Sequence, residues 1–197
     1  MPSLEPPSIS WWQSGDPKVA VWDTITLPAH ALQSGTDGLT NGAAVDDTES
    51  AFPGTILFVH DAEKLVCGVV QIPHDALMTG TLKPVVHWAK STSAANAVLW
   101  EFSSRVLGAA GSTAGSWSSA DNGTLAVSHA DTAHVHALTT FTALNISTLG
   151  PSSIIAFRLY RRTDDALDTY AASVRLFAVS FHYQKAYGKR GSLVEYP

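Results

Sequence analysis

Two short runs of the 197-residue chain hold side chains that could ligate a metal. His134-Val135-His136 sets two imidazoles two positions apart. On a strand that spacing puts both on one face, about 7 Å apart, from where zinc or another transition metal can be held. A third ligand would have to come from His129, Asp131 or a second copy of the chain. No His-Glu-x-x-His run and no cysteine ligand accompanies the pair, so the expectation is surface or interface histidines and no metal. Asp164, Asp165 and Asp168 crowd the segment Thr163–Thr169. Carboxylates this close could hold calcium, but there is no EF-hand spacing and no glycine at the bend. A solvated turn is expected, with Arg158, Arg161 and Arg162 near enough to pair with these acids.

Other chemistry finds little footing, and no catalytic residue and no cofactor are expected. There is no Gly-x-Ser-x-Gly elbow to expose a serine nucleophile, and no phosphate-binding or dinucleotide fingerprint. No pair of carboxylates is singled out for glycoside hydrolysis. Cys67 lies among Val66, Gly68 and Val69, where a small buried hydrophobe fits better than a reactive thiol, which wants basic neighbours. The aromatics divide into two groups. Trp88, Trp100, Phe157, Phe177 and Phe181 fall in apolar runs and read as core. Trp11, Trp12, Trp117, Tyr187 and Tyr196 fall outside them, and such residues serve as sugar platforms or as anchors in protein interfaces. Interface anchoring is the expectation, with His134, His136 and Tyr183 as further candidates.

The elements that must position these groups are strands. Apolar residues alternate, or run in short blocks between Gly, Pro, Asn and Asp, and seldom recur at helical spacing. Strands are expected at Val19–Ile25, Thr55–His60, Leu65–Ile72, Leu82–Lys90, Val98–Leu107, Thr124–Ser128, Val135–Phe141, Ser153–Arg162 and Ala172–Gln184. Asp61-Ala62-Glu63-Lys64 reads as a hairpin turn between the second and third. A turn near Asp75–Met78 is the helix candidate. In Ser153–Arg162, Ile155, Phe157 and Leu159 point one way while Arg158, Tyr160 and Arg162 point the other. The last strand switches face after Leu176, which either a β-bulge or burial on both faces would explain. Two long loops, Thr26–Gly54 and Gly108–Gly123, complete the pattern. So many strands without helices give an all-β chain, and the strand lengths favour a jelly-roll-type antiparallel sandwich of about eight strands. The division is an N-terminal arm at 1–18 and one sandwich domain at 19–197.

Composition narrows the class. Charged residues are 15% of the chain, against roughly 25% in soluble domains, while hydrophobics at 45% rule out a disordered protein. Twelve basic against seventeen acidic residues, net −5, exclude a basic nucleic-acid binder. No apolar run approaches the ~18 residues of a membrane helix, and the start has no secretory pattern. Up to His60 there are seven acids and one base, and from Ser152 onward seven bases and four acids. This segregation would suit copies packed head to tail, unless the fold mixes the charges again. A surface poor in charge is expected to be covered by other protein.

The segment Leu82–Trp100, containing Pro84-Val85-Val86-His87-Trp88, resembles a stretch in a family of small jelly-roll structural proteins of tailed bacteriophages. So do Val69-Val70-Gln71-Ile72-Pro73-His74, Phe157–Arg162 with the Asp-rich loop to Tyr170, and Phe181-His182-Tyr183-Gln184 followed by Gly188, Arg190 and Glu195-Tyr196. These cover the chain from about Thr55 onward in matching order. Where family members often read Pro-His-x-His-Trp, Val85 replaces the first histidine. The resemblance implies a non-enzymatic virion protein that is a homotrimer. It would be made in the host cytoplasm and carried on the capsid surface, with the major capsid protein or other virion proteins as partners and neither nucleic acid nor membrane. A head decoration, or cement, protein is the first reading. A tail- or fibre-associated adsorption module that binds a host glycan, with Trp117 at its site, is the alternative.

Overall fold

The computed structural model describes residues 20–34, 44–46, 54–60, 64–108 and 132–186. Eleven strands run through them: β1 (Ala20–Pro28), β2 (Gln33–Ser34), β3 (Ala44–Asp46), β4 (Thr55–Phe58), β5 (Lys64–Gln71), β6 (Thr81–Lys90), β7 (Trp100–Gly108), β8 (Ala137–Thr140), β9 (Leu144–Asn145), β10 (Ile154–Arg161) and β11 (Val174–Ala186). They form two antiparallel sheets. The seven-stranded sheet is ordered β3-β4-β11-β6-β8, with β1 also on β11 and β9 also on β6, and the four-stranded sheet is β2-β5-β10-β7. β4 and β1 share one edge of the long β11 end to end, at Val174–Leu176 and Ala178–Ala186. From β5 onward the chain alternates between the sheets, except that β8 and β9 follow one another along β6 in the seven-stranded one. That alternation, with β1-β11-β6-β8 facing β5-β10-β7, is the strand order of a jelly roll.

Alternation of side chains builds the core between the sheets. Phe102, Phe157, Phe181 and Phe141 pack ring on ring, with Phe157 and Phe181 at 5.2 Å between centroids. Trp100 lies edge-on to Phe58 at 5.0 Å and to Trp88 at 5.9 Å. Each such ring contributes about 1.5–3 kcal/mol by leaving water. Gly68 sits opposite Phe157 in the β5–β10 register. A Cβ there would stand 2.5 Å from the Phe157 ring, so only glycine lets that ring lie over the strand.

The strand reading agrees with this architecture over the described residues, and the parity of β10 is as expected. Ile155, Phe157 and Leu159 are buried, while Arg158 and Tyr160 are half-exposed on the other side. Three points differ or sharpen. β4 and β5 do not form a hairpin, because β4 pairs with β11 and β3 while β5 pairs with β10 and β2. The chain between them passes from one sheet to the other, and turn-forming residues in the sequence do not distinguish these cases. Next, Thr26–Gly54 is not one loop. It holds the end of β1, a 3-10 turn at Ala29–Ala31, β2 and β3, anchored by buried Ala29 and Leu32. Strands of two or three residues are too short for alternation to register. Last, the face switch in β11 is a bulge, since the register with β6 shifts between Leu176 and Ala178. Phe177 is the extra residue, so Val174, Leu176, Val179, Phe181 and Tyr183 all face the core. The Asp75–Met78 candidate is turns around an isolated bridge from Ala76 to Lys185. The expected strand Thr124–Ser128, the loop Gly108–Gly123 beyond its first residue, and the arm at 1–18 lie outside the described residues.

Candidate interaction face

The outer side of the seven-stranded sheet concentrates what the composition hinted at. Outward positions follow from the register: Trp22, Thr24 and Thr26 on β1 stand beside Gln184, His182 and Ser180 on β11. Val85 and His87 on β6 stand beside Thr140 and Leu138 on β8. Across β1, β11, β6 and β8 the permanent charges on this side are Lys83 and Arg175, and Arg175 is buried. Trp22 is 55% and Leu138 60% exposed, with Val135 nearby at 44%. Small hydroxyl side chains fill the space between, as in the 3.0 Å contact of Thr26 Oγ1 with Ser180 Oγ. A water-facing sheet side is ordinarily rich in charge, whereas uncharged faces with exposed large apolar groups mark contact surfaces.

A histidine pair lies on this face. His87 Nδ1 and His136 Nε2 are 3.0 Å apart, with the rings tilted by only 15°. This is a single N–H···N hydrogen bond, whose direction depends on the tautomers. His136 rests on the edge of Phe177 at 5.9 Å between centroids, so the bulge supplies its platform. The other His87 nitrogen, Nε2, is buried without a partner. Burial, then the neighbouring His136 and His182, hold the His87 pKa below the ordinary histidine value. His182 in turn meets Thr24 through Nδ1 at 3.0 Å.

Two further polar groupings sit at the ends of the sandwich. In one, Arg161 and Asp168 form a fully buried pair, with Nε and Nη2 each 2.9 Å from a carboxylate oxygen. The guanidinium also donates to the carbonyls of Ala172, at 2.6 Å, and Tyr170. The Leu99 amide donates to the same carboxylate at 3.1 Å. Lys90 donates to the carbonyls of Asn96, at 2.6 Å, and Ala94. Both cations lie over the Tyr170 ring, and the Tyr170 hydroxyl accepts from the Thr92 amide at 2.8 Å. In the other, Lys185 donates to Asp23 at 2.6 Å, and the Tyr183 hydroxyl reaches Asp23 and Asp75 at 3.5 and 3.4 Å. The Lys185 bond, then that from the Thr24 amide, lowers the Asp23 pKa, and the same bond raises that of Lys185. Burial, then the two carboxylates, pushes the Tyr183 pKa up.

The structure therefore redistributes the expected site residues. His134 does not share a strand face with His136. It precedes β8 with a left-handed φ of 62°, and its amide donates to Lys90. The partner of His136 is His87, 49 residues away, which spacing could not reveal. Tyr183 faces inward at 5% exposure, so this face does not present it. The three aspartates are separated: Asp168 is buried on Arg161, Asp164 meets Arg162 at 3.3 Å, and Asp165 accepts from the Leu167 amide. Turned apart in this way they do not converge on one point. Among the described residues no cluster of three or more metal-ligating side chains occurs. Trp11, Trp12, Trp117, Tyr187 and Tyr196 lie outside the described residues. Trp22 was the residue to find, because it shares parity with Thr24 and Thr26 rather than with Ile25.

No family model matches the chain, and no curated protein is similar to it by sequence. Among solved structures it is similar over 80% of its length to an isomalto-dextranase of Arthrobacter globiformis complexed with panose, at 13% identity and a TM-score of 0.47. It is similar over 86% to the structure of infectious bursal disease virus, at 11% identity and a TM-score of 0.42. A third, over 87% of the chain, is the cleaved adhesin domain of Lys-gingipain from Porphyromonas gingivalis, at 13% identity and a TM-score of 0.38. The chain spans 23% of the first structure's chain, 33% of the second's and 95% of the third's.

Proposed function

We propose that this chain is a non-enzymatic structural protein of a tailed-bacteriophage particle that decorates the head shell as a homotrimer. The particle and the trimeric order come from the family resemblance. The observation that carries the contact role is the outer side of the seven-stranded sheet, where Trp22 and Leu138 are exposed on a face almost without permanent charge. Burying such a face costs little polar desolvation and removes apolar surface from water. The work is then stabilisation of neighbouring subunits by covered area, with no bond made or broken.

Quantitative mass spectrometry and imaging of intact particles test the assignment. Hundreds of copies spread over the head are expected, and a few copies confined to the tail would overturn it. For the isolated chain, light scattering should give a trimer, and Trp22→Asp with Leu138→Asp should shift it towards monomer. Deleting residues 1–17 should abolish shell binding while leaving the trimer folded. Full binding by that truncation would remove the arm from the reading.

A further inference from the structure

We propose that His87 and His136 form an acid-released clasp that pins the chain entering β8 to β6. The inference stands on the pair's geometry and does not depend on the particle assignment. The contact is 3.0 Å long between His87 Nδ1 and His136 Nε2 and has room for one hydrogen. The remaining His87 nitrogen, Nε2, is buried with no hydrogen-bond partner among the described residues. A bare buried acceptor is tolerated better than a buried N–H with nowhere to donate. The neutral pair therefore settles with His87 Nδ1–H donating to His136 Nε2.

Each way of adding a proton disturbs that arrangement. A proton on His87 goes to Nε2 and creates a buried donor without a partner. A proton on His136 goes to Nε2, where it faces the Nδ1–H of His87, so the His87 hydrogen must move to its own Nε2. Both routes end with the same orphaned N–H. Among the described residues nothing compensates the added charge. Lys83 stands on β6, Arg175 and His182 on β11, and His134 just before β8, while the outward positions of β1, β6, β8 and β11 carry no carboxylate. Acid therefore favours a conformation in which the rings separate and water reaches Nε2. β8 is the element that follows, because it is a short strand, last in its sheet among the described residues, whose entry His136 holds. The lowered His87 pKa points the same way.

The sign is fixed by linkage. A histidine whose folded pKa is lowered gives its full contribution above the ordinary value, loses it as pH falls below that value, and levels off below the folded one. Hydrogen exchange on the full chain, with nitrogen-15 NMR of the histidine rings, tests this between about pH 8 and pH 5. The amides of Leu138 to Thr140 should lose protection as pH falls, while those of Val179 and Phe181 keep theirs. The loss should approach about tenfold for each pH unit between the clasped and free pKa values. At neutral pH, His87 should be the Nδ1–H tautomer with Nε2 bare. In His136→Gln the amide oxygen accepts from His87 Nδ1–H but a proton on His87 Nε2 is still orphaned, so the β8 transition should persist and move upward, since His136 no longer lowers the His87 pKa. His182→Gln should retain the transition and move it upward. An Nε2–H tautomer at neutral pH would overturn the proposal, as would β8 protection indifferent to pH in the native chain or an unchanged transition in His136→Gln.

Discussion

The Arg161–Asp168 node and the His87–His136 pair are both polar groups held against the seven-stranded sheet, yet they behave oppositely. Arg161 is fully buried and charged, and its donors meet two carboxylate oxygens and the carbonyls of Ala172 and Tyr170. Every donor of that guanidinium has an acceptor, and its carboxylate partner accepts from three N–H groups. His87 is only half-buried and neutral, with one nitrogen satisfied and the other orphaned. Completeness of hydrogen bonding, rather than depth of burial, separates a fixed structural joint from a titratable one.

Breaking the complete joint should have the largest effect. Asp168→Ala leaves a guanidinium buried without its counter-charge and should cost about 3–5 kcal/mol in urea unfolding. Replacing both partners with apolar residues of similar size, Arg161→Met with Asp168→Leu, should recover much of that loss. If the double variant were as unstable as the single one, the carbonyls of Ala172 and Tyr170 would be the costly orphans, and the comparison would have to be redrawn around them.

A smaller effect is expected where the two regions approach each other through β6. The Trp88 indole N–H donates to Thr139 Oγ1 at 2.8 Å, inside the core and directly beneath the clasp. Thr139→Val keeps the shape but orphans a buried donor, at about 1–3 kcal/mol. Because Thr139 also holds β8, the acid release of that strand should begin at higher pH. His87→Leu should do the reverse. It removes the orphaned nitrogen and leaves His136 exposed to water, so stability at neutral pH should change by less than about 1 kcal/mol. Acid dependence of β8 protection should disappear.

The contrast also explains what the chain revealed before it was folded. The parity of Ser153–Arg162 already put Arg161 with Ile155, Phe157 and Leu159, so its burial was legible. Which of three neighbouring aspartates would follow it inward was not, because a turn's direction depends on where Leu99 and Tyr170 sit. The apolar runs were readable as strands since each has a buried face, and the irregularity at Phe177 showed as a break in parity. The crossing from β4 to β5 was hidden because a four-residue turn serves a hairpin or an arch between sheets equally well. The clasp was hidden for a different reason. Its two halves come from β6 and from the approach to β8, and only pairing in the sheet brings them together.

The smallest effect belongs to the remaining polar group, and it separates partnership from completeness. Lys185 and Asp23 are 2.6 Å apart, closer than Arg161 is to either Asp168 oxygen, but both are open to solvent. Water can replace either partner, so removing one orphans nothing. The lowered Asp23 pKa means that this pair's contribution is present above the ordinary carboxylate value and lost as pH falls through the folded one. Lys185→Ala should therefore barely move the urea midpoint at neutral pH, and less still in high salt, which screens exposed charges. What should respond is the Asp23 carboxyl itself, whose carbon-13 titration should move up towards the ordinary value once its main hydrogen-bond donor is gone. A large loss of stability in Lys185→Ala would mean that proximity alone sets the strength of these joints, and the distinction drawn from Arg161 and His87 would fail.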